Sequence, residues 1–262
     1  MPHPDLAPSR PAAPLVGFSR PITPSRRSGL STLVLCLAAS GALGGCNPDI
    51  FDVSVALSHE SFPADFGNAM GTIPTTTCNT GDTTVCGASQ TTMLDDNAGQ
   101  VTISLACDGS KNLCFAQANA TAATTVDVLQ DDSFTSAVGR RAVSVVRMLD
   151  LQYTIPTNTA TFTIPEIDVY VGPAGSKTAT DAGVVMVDKI SPIAAGTTIT
   201  GSPRHLTVAD GSPARDLIES SIRSETPFVF VVTAAPRLEA GATLPAGKVV
   251  VDVQPLLGLG LR

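Results

Sequence analysis

The sequence predicts an all-β body: an antiparallel, immunoglobulin-like β-sandwich with one or two short helices and disulfide-tied loops. Three observations carry this. Many short segments alternate apolar and polar residues at a period of two, the pattern of a strand with one buried face. Turn residues (Gly, Pro, Asn, Asp) recur between those segments. Four cysteines, Cys78, Cys86, Cys107 and Cys114, fall in the loop-rich part of the chain, an even number that reads as two disulfides in an exported protein.

In chain order, Ile50 to Leu57 comes first, with Phe51, Val53, Val55 and Leu57 alternating with Asp52, Ser54 and Ala56. Ser58 to Gln100 is rich in Thr, Gly, Pro, Asn and Asp and reads as loop held by cysteines, part of a loop-rich insertion at about 58–120. Val101, Ile103 and Leu105 alternate again. Cys107-Asp108-Gly109-Ser110-Lys111-Asn112 has turn chemistry, so a hairpin clamped by Cys107–Cys114 is expected. Four cysteines allow three pairings; the neighbour pairing, Cys78–Cys86 with Cys107–Cys114, closes two short loops at ~2–3 kcal/mol each in the chain-entropy picture.

Val126 to Leu129 reads as a strand, and Asp131-Asp132-Ser133 as the cap of a short helix with Phe134, Ala137, Val138 and Ala142 on one face. Val143 to Ile155 is β-branched and alternating. Ala160 to Val171 changes phase at Pro165, which predicts a bulge or edge kink. Val184 to Ile190 and Thr197 to Thr200 are further strands. Ser212-Pro213 places a cap before a first-turn proline, with Leu217, Ile218 and Ile222 on one stripe. Phe228 to Thr233 and Lys248 to Val253 are the strongest strands. The tail Leu256-Leu257-Gly258-Leu259-Gly260-Leu261 is apolar and too short to span a bilayer; core packing is its plain reading, and contact with a partner or membrane its sharper one.

The N-terminal region has a different character. Arg26 and Arg27 precede an uncharged run, Gly29 to Leu43, of about fifteen residues, short of the ~20 a spanning helix needs. The run closes on Leu43-Gly44-Gly45-Cys46. This arrangement resembles the signal peptides of bacterial lipoproteins, whose motif is an aliphatic residue, two small residues and a cysteine. The resemblance covers only the first 46 residues. It implies cleavage between Gly45 and Cys46, a diacylglycerol on the Cys46 thiol, and an acylated (palmitate-type) amino terminus. Residues 1–45 are then the removed signal peptide, 46–49 a short tether, and 50–262 one sandwich domain. By the same resemblance Asn47, in place of Asp, implies transfer to the outer membrane of a Gram-negative-type envelope. Cys36, after Leu35, lacks the small residues the motif requires. Ser25-Arg26-Arg27 also faintly resembles a twin-arginine export signal, but the residues after Arg27 match it poorly, so general secretion is expected.

Residues 1–45 hold four Arg and one Asp, leaving 12 basic and 22 acidic side chains from Cys46 onward, a net of −10. That balance argues against nucleic acid and against electrostatic docking on anionic lipid. Membrane contact then falls to the acyl chains, each buried methylene contributing ~0.8 kcal/mol. Trp is absent and Tyr153 and Tyr170 are the only tyrosines, so sugar-stacking platforms are not expected.

Motifs for chemistry are sparse. Gly172-Pro173-Ala174-Gly175-Ser176-Lys177-Thr178 lacks the Gly directly before Lys that a phosphate loop needs, and reads as a turn. His59 and His205 are the only histidines after Cys46, and no Gly-x-Ser-x-Gly occurs. With Glu60 they make a zinc site only if the fold gathers them; the cysteine spacings are longer than zinc knuckles. Asp95-Asp96-Asn97 before Gly99, and Asp131-Asp132, offer carboxylates for calcium without an EF-hand spacing. Arg140-Arg141 reads as a solvated pair. No cofactor is implied. The expectation is a non-enzymatic, lipid-anchored envelope protein, structural or interaction module, with the membrane and an envelope protein as partners. The alternatives are an anchored hydrolase built from scattered Asp, Glu, Ser and His, and a calcium-dependent adhesion module.

Overall fold

The strand that organises the body is β12 (Lys248–Leu261), in which Val249, Val251, Val253, Pro255, Leu257, Leu259 and Leu261 are buried while the alternate residues face outward as far as Gly258. In the computed structural model, which describes residues 51–68, 71–80, 84–87, 90–93 and 99–262, β12 is central to a five-stranded antiparallel sheet. β6 (Val143–Asn158) runs along one side of it, and β9 (Ile199–Leu206) flanks β6. The other side is shared by β1 (Phe51–Ala56), paired to residues 256–261, and β2 (Glu60–Asp65), paired to residues 248–253. The C-terminal leucines are thus core, the plainer of the two readings.

The second sheet has seven strands. β3 (Gln90–Met93), β4 (Gly99–Asp108), β5 (Leu113–Val126), β10 (Phe228–Ala234), β7 (Ile167–Pro173) and β8 (Val185–Ile190) follow in that spatial order, with β11 (Arg237–Glu239) beside β5. One core cluster takes residues from both sheets, including Val55, Leu151, Leu206 and Leu257 from the first and Val101, Ala118, Val169 and Phe230 from the second. The result is a sandwich-like all-β fold with two helices. Its twelve strands, among the described residues, exceed the roughly seven to nine of an immunoglobulin sandwich.

Both helices begin where capping chemistry places them. Asp131 accepts the amide of Phe134 (2.9 Å) ahead of α1 (Asp132–Val138), which lies along β1 and buries Phe134 and Val138. Ala142, expected on that face, lies beyond the helix and is exposed. Ser212 accepts the amide of Arg215 ahead of α2 (Pro213–Ser224), whose buried stripe is Ala214, Ile218 and Ile222. α2 packs against β6, β7 and β8, bridging the two sheets.

Besides Ala142, four expectations need correction. Residues 58–100 are not all loop, because β2 and β3 lie there; Pro63 interrupts the β2 pattern but is tolerated on an edge strand. Val126 ends a strand instead of opening one, because Asp127 turns the chain by accepting the amide of Leu129. Residues 160–166 form no strand beyond a single bridge, Ile164 to Ile193, and β7 starts only at Ile167. The fourth is the hairpin clamp, since Cys107 and Cys114 each bond a cysteine of another segment.

The gap between β1 and β2 has a specific cause. Leu57 donates its amide to the Pro255 carbonyl (2.9 Å), so the antiparallel register asks Pro255 to donate back. Proline has no N–H to give. The Gln254 side-chain amide fills the role, donating to the Leu57 carbonyl at 2.9 Å. The next amide, Ser58, leaves the sheet and donates to Asp131 Oδ2 (2.6 Å). Burial works against charge on Asp131, but the Ser58 and Phe134 amides outweigh it and hold the carboxyl below its usual range. Glu60 shifts the other way, pushed up first by burial and then by Asp131. Gln254→Leu leaves the Leu57 carbonyl without a donor and is expected to cost about 1–2 kcal/mol in urea unfolding, whereas Gln152→Leu on the neighbouring strand should cost less than half as much; equal costs for the two would contradict this account.

Candidate functional site

The most heavily cross-linked region is one end of the body, where the β4–β5 hairpin meets residues 71–80 and 84–87. Its turn follows from local chemistry. Asp108 accepts the amide and hydroxyl of Ser110 (2.9 and 2.6 Å), its carbonyl accepts the amides of Lys111 and Asn112, and Asn112 takes the left-handed conformation (φ 51°). Gly109 is required for close approach: a Cβ there would lie 2.1 Å from the Thr80 hydroxyl oxygen. The segment 71–78 lies across this hairpin, with Thr77 bridged to Leu113 and the Cys78 amide bonded to the Asn112 carbonyl.

That placement decides the disulfides. Cys107 and Cys114 face each other across the β4–β5 register, yet they are not bonded to each other. Cys78 bonds Cys107 (Cα–Cα 5.9 Å) and Cys86 bonds Cys114 (5.5 Å). The neighbour pairing and the clamp on the hairpin are therefore corrected: the cystines join two segments instead of closing two local loops. Each bridge spans 28 or 29 residues, so each is worth ~3–4 kcal/mol taken singly in the chain-entropy picture. Around them Ile73, Cys78, Cys86, Cys114 and Ala116 form a second apolar cluster, with Leu105, Leu238 and Leu244 packed against it.

A charged strap covers the outside. Arg237 pairs with Asp108 and with Glu239 (3.3 Å), Lys111 pairs with Glu239 (3.0 Å), and the Arg237 guanidinium lies 3.9 Å from the Phe115 ring centroid. The Ser110 hydroxyl and amide, then Arg237, hold the Asp108 carboxyl down at about 2. Lys111 and then Arg237 likewise lower the Glu239 carboxyl, so both acids of the strap stay ionised throughout the physiological range.

The other predicted residues are dispersed. Cys46 and Gly45, with the whole lipoprotein motif, lie outside the described residues, as do Asp95, Asp96 and Asn97. His205 on β9 is exposed, its Nδ1 2.9 Å from Asp150 Oδ2 on β6. No hydroxyl bonds His205 among the described residues. His59 borders a depression of about 10 Å³ with Gln152, Pro203 and Asp252, while the Ser61 hydroxyl donates to Asp252 (2.6 Å). Among the described residues the one group of clustered metal-ligating atoms is Cys78, Cys86 and Cys114, whose sulfurs are in disulfides and offer no thiolate. His59, Glu60 and His205 do not converge. Asp131 is taken up as a cap. In the turn after β7, the Lys177 and Thr178 amides already hold Asp181, whose carboxyl they lower, so those donors face a protein carboxylate. Between the sheets, Phe62, Val101, Ala122, Val232 and Val251 line an apolar cavity of about 30 Å³, room for about one water.

Comparison with known proteins finds no matching family, no matching curated protein and no matching solved structure. Neither the charged strap nor the cross-segment pairing was read from the sequence; the signal for the strap was the charge-rich pair of segments 108–111 and 237–239, separated by too many residues to be joined by pattern alone. Peptide mapping without reduction should recover the 78–107 and 86–114 cross-links, and recovery of a 107–114 peptide would overturn the arrangement.

Proposed function

We propose that this chain is a lipid-anchored protein of the bacterial envelope, without enzymatic activity, that presents a disulfide-braced sandwich as a structural or interaction module. The observation that carries the reading is Leu43-Gly44-Gly45-Cys46 placed after Arg26-Arg27 and an uncharged apolar run. In this reading residues 1–45 are removed, Cys46 carries the acyl chains, and the outer membrane is the destination.

The position of the first strand supports a close anchor. β1 opens at Phe51, and the four residues between Cys46 and Phe51 reach only ~13 Å when extended. The body then stands directly on the bilayer. Phe51 pairs with Leu261, whereas Asp65 pairs with Lys248 and the segment 71–73 bonds to residues 241–244 just before it, so the start of β1 and the braced end lie toward opposite ends of β12. Fourteen residues of strand amount to about 40 Å. The charged strap and cystines thus face away from the membrane, where a partner in the envelope would meet them. Fastening by disulfides suits an oxidising compartment, in which they persist.

Metabolic labelling with a fatty acid analogue tests the anchor. Labelled protein is expected from the wild-type chain and none from Cys46→Ser, which should also leave the membrane fraction; equal labelling of the two would refute the proposal.

A further inference from the structure

The end of the body next to the anchor is unlike the rest of the acidic surface. We propose that this end is a docking face for anionic phospholipid, formed by Arg140, Arg141 and Arg223 around Phe51; the expected orientation rests on the anchor reading above, whereas the lipid affinity itself does not.

The arginines come from distant parts of the chain and are collected by the fold. Arg140 and Arg141 follow Gly139, the residue at which α1 stops, and precede β6. Ala142 and Arg262 exchange backbone hydrogen bonds (3.1 and 3.2 Å), which brings the end of β12 against them. Arg223 lies in the last turn of α2 and shares an open groove of about 400 Å³ with Val143, Ser144 and Arg262. Phe51 completes the face. It is 47% exposed, unusual for an aromatic on a strand, and the Arg141 guanidinium lies 4.4 Å from its ring centroid.

Several other cations of the molecule are paired. Arg147 is paired with Asp52, Arg215 with Asp210 and Glu219, Arg237 with Asp108, and Lys189 with Glu166 and Asp168. Arg140, Arg141 and Arg223 are exposed and make no ion pair among the described residues. Arg204, Lys177 and Lys248 are likewise exposed without an ion pair among the described residues but lie on separate strands and turns, whereas here three such cations are gathered at one end. Glu225, beyond the end of α2, is the exposed acid nearest to them in the chain. Asp49, in the tether, is a second acid to set against them. The face is therefore locally positive on a body whose net charge from Cys46 onward is −10.

Charge and shape both select lipid. Acidic headgroups attract juxtamembrane arginines within about a Debye length, ~8 Å at physiological ionic strength. An aromatic ring flanked by guanidinium groups suits an interface, with the ring at headgroup depth and the charges on phosphates. The negative charge elsewhere would be repelled by the same surface, so one end alone can approach. That combination fixes which end faces the bilayer, which acyl chains alone do not.

The test uses residues 47–262, which carry no acylation site and include both apolar clusters found among the described residues. This body is expected to co-sediment with vesicles of about one-third phosphatidylglycerol in phosphatidylcholine, to release as salt is raised, and to ignore pure phosphatidylcholine vesicles. Arg140→Gln, Arg141→Gln and Arg223→Gln together should weaken binding by about a hundredfold, roughly fivefold for each charge lost. The corresponding triple Lys variant should retain it, with an unchanged melting temperature in both. Absence of binding, equal binding to neutral vesicles, or full binding by the Gln variant would overturn the proposal. Fatty acid labelling of the full chain is scored separately: an unlabelled chain whose body binds acidic vesicles defeats the anchor and leaves this face standing, and the converse defeats this face alone.

Discussion

The hydrogen bond from the Gln254 side chain to the Leu57 carbonyl is the contact on which the first sheet depends. β12 pairs with β6 along nearly its whole length, but on its other side it must accommodate a proline at its middle. Without a donor at Pro255 the flanking strand cannot continue unbroken, so it divides into β1 and β2. Gln254 satisfies the orphaned carbonyl, and the next amide, Ser58, turns to Asp131. Asp131 in the same position caps α1. A single missing N–H therefore explains the strand break, links it to the helix, and accounts for a nearly buried carboxylate that stays ionised. A buried carbonyl without a partner costs about 1–3 kcal/mol, comparable to a cap, so the three devices are of similar weight.

How much of this was legible in the sequence depends on whether the signal was local. The caps at Asp131 and Ser212, the strands at Phe228 and Lys248, and the turn after Pro173 all rest on neighbouring residues, and all appear in the structure. β5 was hard to see because its buried face is Ala116, Ala118, Ala120 and Ala122, small residues that mark period two only weakly. β2 was missed because Phe62 is its only large apolar residue and Pro63 follows directly. Residues 160–166 carried alternation but found no partner strand, so periodicity without pairing misled. The cystine pairing was not readable at all: sequence distance favours neighbours, whereas the bridge Thr77 to Leu113 lays one segment across another. The same holds for the arginines of the basic end, dispersed from position 140 to 223 and joined only by the ends of α1, α2 and β12.

The body has two unlike ends. One is apolar and cationic around the first residue of β1; the other is cross-linked by two cystines and covered by Arg237, Asp108, Lys111 and Glu239. The exposed pairs in that cover contribute little to stability individually. Their value lies in a rigid charged surface, since the Phe115 ring and the Asp108 turn restrict where the guanidinium can go. The sandwich between the ends is well filled, with an apolar void of about 30 Å³ among the described residues. In the proposed reading, length and the contrast between its ends are what the module contributes.

The most direct measurement of this account is the height of each end above the bilayer in the acylated protein. A dye is placed at Asn79 on the braced end or at Ala142 beside the basic end, both exposed, and quenching by a headgroup-attached acceptor is recorded for each. The account predicts strong quenching at position 142 and almost none at position 79, in keeping with about 40 Å of intervening strand. Equal quenching at the two positions, or stronger quenching at position 79, would contradict it.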